Sequence, residues 1–325
     1  MSCTLAQLSV TPDDLRRRDL QTAWIQASAT QADCSSRITE LKDTVEDRLR
    51  ALLESDAYAP PQLVAAMRHA LLGGGKRFRP LLFIFTVARE ERFEAALDIG
   101  CALEMVHTAS LILDDLPCMD DADLRRDKPT THKIFGQATA ILAAISLLTR
   151  GMNIVASVEG TTPDQRARLV AILTQAVGHT GLAAGQEVDL SIVPELGMDV
   201  EQKNWLKTGK FFAAMAEMAS ILENRPDDQA EALSELAFHV GSAFQALDDL
   251  LDATAPVALV GKDVGKDHGK SSMLNDRGEV ATRNSYLFHL NSANAVLPRC
   301  GLQEEPIRLM LRSIHLMAPR QDISS

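Results

Sequence analysis

Leu111-Ile-Leu-Asp-Asp-Leu-Pro-Cys-Met-Asp-Asp-Ala-Asp-Leu-Arg-Arg-Asp-Lys-Pro-Thr130 is the stretch on which the fold and the chemistry both turn. An almost wholly apolar run, Cys101 to Leu113, leads into it and is free enough of Gly and Pro to be a buried helix. The run ends in Asp114 and Asp115, with Pro117, Asp120 and Asp121 close behind. A helix C-terminus already carries partial negative charge, so carboxylates stacked there cost energy unless a cation sits among them. Oxygen-only ligands suit a hard divalent ion, Mg2+ first. Arg125 and Arg126 follow, offering forked donors to phosphate. Acids that hold a metal beside paired arginines describe a site for a metal-complexed phosphate.

A second stretch repeats the design. Leu233 to Leu247 is mostly apolar and leads into Gln245-Ala-Leu-Asp-Asp-Leu-Leu-Asp252, with Pro256 soon after. Asp248 and Asp252 lie about 40° apart on one helical face. A single cluster would pass as a solvated helix end. Two of matching layout point to two helix ends that face each other across a cavity and grip one polyanion through bridging metals.

The chain has 325 residues, of which 46% are hydrophobic, so a sizeable core is available. Only 4% are aromatic, and Ala, Leu, Met, Glu and Gln abound, which favours helices over strands. The reading is all-α: one large helical domain, 37–325, of ten or so helices, behind an N-terminal extension, 1–36. A net charge of −11 argues against nucleic-acid binding, and bound metal would reverse the sign locally for a phosphate ligand. The five cysteines, Cys3, Cys34, Cys101, Cys118 and Cys300, include no CxxC pair, so free thiols in a reducing cytoplasm are expected. No apolar run reads as long and clean enough to span a bilayer.

In chain order, helices are expected over 37–54, 63–72, 81–88, 92–113, 134–158, 163–190, 199–223 and through the second acid stretch. Gly73-Gly-Gly-Lys-Arg-Phe-Arg-Pro80 lets backbone N–H groups approach an anion, and Lys76, Arg77 and Arg79 add three cations; the Walker spacing is absent. Glu104-x-x-His107 has the spacing of di-iron bundles, which need a second such pair that this chain lacks. Gly178, Gly181 and Gly185 permit close helix approach, and Gln186 and Asp189 are polar on an apolar stretch, read as packing. Gly209 marks an expected helix break exposing Lys207 and Thr208. Lys262, Lys266 and Lys270, in a Gly- and Lys-rich loop, read as a lid over a diphosphate.

Taken together, Gly75-Lys76-x-x-Arg79-Pro80, Asp114-Asp115-x4-Asp120 with Arg125-Arg126, Lys207-Thr208-Gly209 and Phe244-Gln245-x-x-Asp248-Asp249-x-x-Asp252 resemble a trans-isoprenyl diphosphate synthase. The similarity runs from about Leu41 to Leu274 and is strongest to bacterial geranylgeranyl diphosphate synthases of carotenoid pathways. The resemblance implies a homodimeric helical bundle around a deep central cavity. It implies two or three Mg2+ ions, an allylic diphosphate that ionises, and isopentenyl diphosphate that attacks the cation. Asp114, Asp115 and Asp120 would take metal on one wall, and Asp248, Asp249 and Asp252 on the other. Arg125, Lys207, Gln245 and Lys262 would contact the allylic diphosphate, with Lys270 on the same lid. Thr208 and Gln245 would place oxygen dipoles near the cation. Lys76, Arg79, His107 and Arg126 would hold isopentenyl diphosphate. Shorter-chain bacterial relatives commonly carry a bulky aromatic where this chain has Ala109, next to Ser110. Five helical residues span roughly 7.5 Å, so small side chains there favour a C20 product over C15. The alternatives are a farnesyl diphosphate synthase, a non-catalytic regulatory subunit, and, from the Glu-x-x-His spacing, a di-iron oxidase. One departure stands out: the family usually has Gly where this chain has Asp127.

Overall fold

The computed structural model describes residues 31–53, 58–190, 199–254 and 273–315. Lys262, Lys266 and Lys270 lie outside them, as does most of the N-terminal extension. Fourteen α-helical segments occur among the described residues. They are α1 (Gln31–Leu52), α2 (Pro61–Leu71), α3 (Phe78–Phe85), α4 (Phe93–Asp114), α5 (Thr131–Phe135), α6 (Gln137–Ser157) and α7 (Pro163–Val177). After them come α8 (Leu182–Leu190), α9 (Val200–Asn204), α10 (Lys210–Glu223), α11 (Asp227–Thr254), α12 (Met273–Arg277), α13 (Glu279–Val296) and α14 (Glu304–His315). The fold is all-α, as its composition indicates. A two-residue ribbon, β1 (Leu124–Arg125) against β2 (Lys128–Pro129), is an addition that no strand alternation announced.

The α4 helix is the axis. It is apolar on nearly every side, and Leu97, Ile99, Leu103, Met105 and Ile112 are all buried. Each such side chain contributes about 1.5–3 kcal/mol on burial. Neighbouring helices close around it through two glycines. A Cβ on Gly151 of α6 would sit 2.9 Å from the Ala102 carbonyl oxygen, and one on Gly100 would sit 3.3 Å from the Pro80 backbone. The other long helix, α11, packs along α13 and α10.

Several expected boundaries move, and glycines explain most of the moves. The helix expected over 134–158 divides at Gly136, whose φ of 83° an L side chain adopts only under strain. The one expected over 163–190 divides between Gly178 and Gly181, where a Cβ on Gly181 would lie 2.0 Å from the Ala176 carbonyl oxygen. Its start is as expected: Pro163 follows Thr162, which closes a capping box with Gln165. Gly209 does not break its helix. The chain instead widens into a π turn, Trp205–Gly209, and continues into α10. At the N-terminal end, α1 starts at Gln31, inside the stretch assigned to the extension.

By length and composition two segments, Glu90–Asp114 and Gln137–Ser157, are apolar enough to pass as membrane spans, a test that buried core helices also meet. The first spends its apolarity on the core. The second leaves Ile141, Leu142 and Ile145 on the surface.

His239 of α11 and His289 of α13 join the two helices head to head. One Nδ1–H donates to the other ring's bare Nδ1 at 2.9 Å. Burial lowers the pKa of both, and His239 further lowers that of His289; Glu235 and Glu201 only partly offset this. Both rings are therefore neutral in the fold, while the unfolded chain takes up protons near pH 6.5. Stability should fall as pH drops through and below about 6.5, because the unfolded state then binds more protons. Melting curves between pH 7.5 and 5.5 test this: a His289→Gln variant should show a shallower loss of Tm, and an unchanged slope would sink the assignment.

Candidate active site

The acid loop is folded by its own backbone. Beyond the end of α4 the chain turns back, and the Asp120 N–H donates to the Asp114 carbonyl at 2.9 Å. Two more return bonds, Asp121 N–H to Leu116 O at 3.1 Å and Ala122 N–H to Asp115 O at 3.2 Å, complete the turn. Carbonyls that a helix end leaves unsatisfied are thus used to bring Asp120 beside Asp114. Asp114 is pushed up to about 6 by burial; Asp120 and Asp115 add to the rise, while Lys207 and Arg125 oppose it. Crowded, desolvated carboxylates of this kind form a site that lacks positive charge. Asp115 turns the other way. Its Oδ1 accepts from Arg125 Nη2 at 2.6 Å and Nε at 3.0 Å.

Arg125 stands on β1, and the hairpin that carries it explains the departure at Asp127. Arg126 and Asp127 have φ of 54° and 60°, the two left-handed positions of a two-residue type I′ turn. Asp127 is exposed, so its charge faces solvent rather than the phosphate site.

The glycine-rich stretch packs against Arg126. A Cβ on Gly75 would come within 2.9 Å of the Arg126 guanidinium carbon, and Arg126 Nη1 donates to the Gly74 carbonyl at 2.6 Å. The three cations expected here divide. Lys76 is exposed, with Asp248 in electrostatic reach. Arg77 is 1% exposed and belongs to the core: it donates to Glu46 at 2.6 Å, Glu104 at 2.8 Å and the Leu71 carbonyl at 2.7 Å. Glu104 also accepts from Arg126 at 3.2 Å, so the Glu-x-x-His spacing serves a buried ion-pair network and not a di-iron centre. Arg79 Nη1 lies 3.1 Å from His107 Nε2, and its guanidinium sits 5.3 Å from the ring centres of Phe212 and Phe244. Burial lowers Arg79 to about 10 and leaves its Nε without a partner. Burial, then the charges of Arg79 and Arg126, hold His107 well below its usual range. His107 is therefore neutral, accepts at Nε2 and carries its proton on Nδ1.

The π turn carries Lys207 and Thr208. Lys207 Nζ donates to Asp189 Oδ2 at 2.5 Å. Thr208 Oγ1 donates to Gln245 Oε1 at 2.8 Å, and Gln245 Nε2 donates to Asp249 Oδ1 at 2.9 Å. Asp249 Oδ2 accepts the Met273 N–H at 2.9 Å, so one oxygen ties α11 to α12 while the other holds Gln245 on α11 itself. Asp248 and Asp252 are half-buried one turn apart on α11.

The two acid motifs share a neighbour. Arg125 feels Asp115 and Asp114 from α4 and also Asp248 from α11. Asp248 bears in turn on Lys76 and Arg79. The structure thus gathers Lys76, Arg79, His107, Asp114, Asp115, Asp120, Arg125, Arg126, Lys207, Thr208, Gln245, Asp248 and Asp249 around one region. Ser110 is half-buried, with its Oγ on the His107 carbonyl at 2.9 Å. Ala109 is 2% exposed and shares the helical stripe of Ala102 and Val106, which faces Gly151 of α6. Asp189 was read as packing and is an ion-pair partner; its signal was a carboxylate three residues after Gln186 on an apolar stretch.

Among the described residues no three His, Cys, Asp or Glu side chains form a closed metal cage. Mg2+ does not need one, since it keeps waters and takes one or two carboxylates together with substrate phosphates. The crowded oxygen donors at Asp114 and Asp120, with Asp114 pushed up by burial, fit that ion.

The sequence profile described as polyprenyl synthetase matches residues 60–274. This chain belongs to the polyprenyl synthetase family. A geranylgeranyl diphosphate synthase from Pseudescherichia vulneris is 40% identical over 79% of this chain and 84% of its own length. A farnesyl diphosphate synthase from Bacillus subtilis is 34% identical over 83% of this chain and 94% of its own. The crystal structure of a geranyltransferase from Helicobacter pylori, complexed with magnesium and isoprenyl diphosphate, superposes with a TM-score of 0.77 at 27% identity. It covers 90% of this chain and 99% of that one.

Within this polyprenyl synthetase, Asp127 occupies a left-handed position that glycine adopts without strain. Asp127→Gly should leave turnover within about twofold and raise stability by about 0.5–1 kcal/mol, because it removes a left-handed cost of roughly 1–2 kcal/mol and returns part of it as glycine's chain entropy. That corresponds to a Tm gain of roughly 1–3 °C, measurable by calorimetry; a lower Tm would show that the Asp127 side chain is needed.

Proposed function

We propose that this prenyltransferase joins isopentenyl diphosphate to an allylic diphosphate (dimethylallyl, geranyl or farnesyl) by ionisation, condensation and elimination, each round losing one inorganic diphosphate and one proton, and releases geranylgeranyl diphosphate. The observation that carries this is the convergence of two acid motifs, from α4 and α11, on Arg125.

Breaking the allylic C–O bond separates charge, so the leaving diphosphate needs concentrated positive charge around it. When bound, Mg2+ supplies most of that charge; Asp114 and Asp120 would hold it on one wall and Asp248 and Asp252 on the other. Asp115 and Asp249 act differently from the sequence expectation: one fixes Arg125, the other fixes Gln245 and α12. Arg125 and Lys207 contact the allylic diphosphate. Thr208 and Gln245 turn oxygen dipoles toward the developing allylic cation. The second diphosphate is held by Arg79, Arg126, Lys76 and the neutral ring of His107. The apolar faces of α4 and α11 exclude water, which would otherwise capture the cation.

Product sizing after incubation with labelled isopentenyl diphosphate tests the reading. A C20 end point is expected, and a C15 end point would make the chain a farnesyl diphosphate synthase, which the similarity to the Bacillus enzyme keeps in play. Asp114→Asn should lower turnover by about 100-fold or more. Enlarging Ala109 to Tyr should shorten the product; an unchanged length would show that Ala109 does not form the floor.

The protein acts as a homodimer in this reading. The apolar face of α6 at Ile141, Leu142 and Ile145 is the surface a second copy would cover. Ile141→Glu with Ile145→Glu should halve the mass seen by analytical ultracentrifugation, and a retained parent mass would move the interface elsewhere. A reducing cytoplasm suits the buried free thiols of Cys101 and Cys300.

A further inference from the structure

Two of the eight histidines meet away from the acid motifs. His239 of α11 lies nine residues, roughly 13.5 Å of helix, before Asp248. Its Nδ1 and that of His289 on α13 are 2.9 Å apart, with ring centres at 5.2 Å and planes tilted by 46°. The contact uses a single proton and brings two imidazole nitrogens together, which is also the start of a chelate. Metal–nitrogen bonds of about 2.0–2.1 Å meeting at a right angle set their donors about 2.9 Å apart, and at a tetrahedral angle about 3.3 Å. The observed separation is that of neighbouring donors on a tetragonal ion. Each ring must tilt outward for its lone pair to leave the N–N line, and both are only half-buried. The surroundings suit a cation held by nitrogen. Burial favours the neutral, metal-binding form of both rings. Glu235, one turn before His239, bears on that ring, and Glu201 bears on His289, so an ion there meets negative charge. Phe238 and Phe288 stand 5.6 and 5.2 Å from the His289 ring and wall the nitrogens with apolar edges. Phe288 is 61% exposed, so the pair lies at the surface, where an ion can enter. Mg2+ prefers oxygen ligands and is a poor match for this donor pair. Imidazole selects late first-row ions, with Cu2+ above Ni2+ and Zn2+.

We infer that His239 and His289 form a second, two-nitrogen metal site that takes Cu2+ or Ni2+, with water in the remaining positions, and clamps α11 to α13. The ring that now donates moves its proton from Nδ1 to Nε2 when the ion enters, so binding releases no proton. Among the described residues no third His, Cys, Asp or Glu closes the site, which leaves the ion exchangeable.

The test is calorimetric titration of Ni2+ into the whole protein, without substrate and in excess Mg2+, which competes at oxygen donors. A single Ni2+ should bind per chain, and His239→Gln and His289→Gln should each weaken binding about tenfold or more. Ni2+ at about 100 times its Kd should raise the Tm of the parent by roughly 3–8 °C and that of neither variant. Binding that survives either substitution overturns the inference, as does a parent that takes up no Ni2+ at millimolar concentration. Electron paramagnetic resonance of the parent, loaded with less than one equivalent of Cu2+, covers the case in which the variants fail to fold. Hyperfine coupling to two imidazole nitrogens is expected there, and coupling to one or none overturns the inference.

Discussion

Like charges held close together in a half-buried place are the constraint around which the molecule is arranged. Two carboxylates about 4 Å apart repel by roughly 4 kcal/mol at the effective dielectric of a protein surface. Asp114, Asp115 and Asp120 are gathered at one helix end, and Asp248, Asp249 and Asp252 at another. The protein does not relieve this repulsion everywhere. It neutralises Asp115 with Arg125 and ties up Asp249 with Gln245 and the Met273 N–H. Asp114 is left poorly compensated, with its carboxyl raised to about 6. That selective neutralisation is the electrostatic form of a site waiting for cations.

The positive partners are disposed with the same selectivity. Arg77 and Arg126 share Glu104, so a glutamate in the wall of α4 orders one arginine of the core and one of the site. Among the described residues Arg79 has no carboxylate at hydrogen-bond distance. It is held by neutral contacts, a histidine nitrogen and two aromatic faces, and burial lowers it to about 10. An arginine supported in this way keeps donors for an incoming anion. Backbone irregularities set the positions: a return loop for Asp120, a type I′ turn for Arg125 and Arg126, and a π turn for Lys207 and Thr208.

The sequence alone was enough for the class of fold, the two acid-tipped helices and the types of residue in the site. Those properties are local: helical apolar runs, carboxylates at a helix end, and arginines a few positions on are all visible along the chain. It also pointed to a chemistry, because hard oxygen ligands beside forked cations suit a metal-bound phosphate. Tertiary structure decided which residues of each type are free to act. Arg77 and Arg79 look alike in Lys76-Arg-Phe-Arg79, but a left-handed φ of 51° turns Arg77 into the core beside Glu46 and Glu104. Asp114 and Asp115 are equal in the chain, and the return hairpin assigns Arg125 to one of them. Asp189 looked like packing because its partners are 14 and 18 residues away and meet it only through a close α8 contact and a π turn. Pairing between distant charges depends on where helices cross and where glycines let them approach, and neither is written in the local pattern of residues.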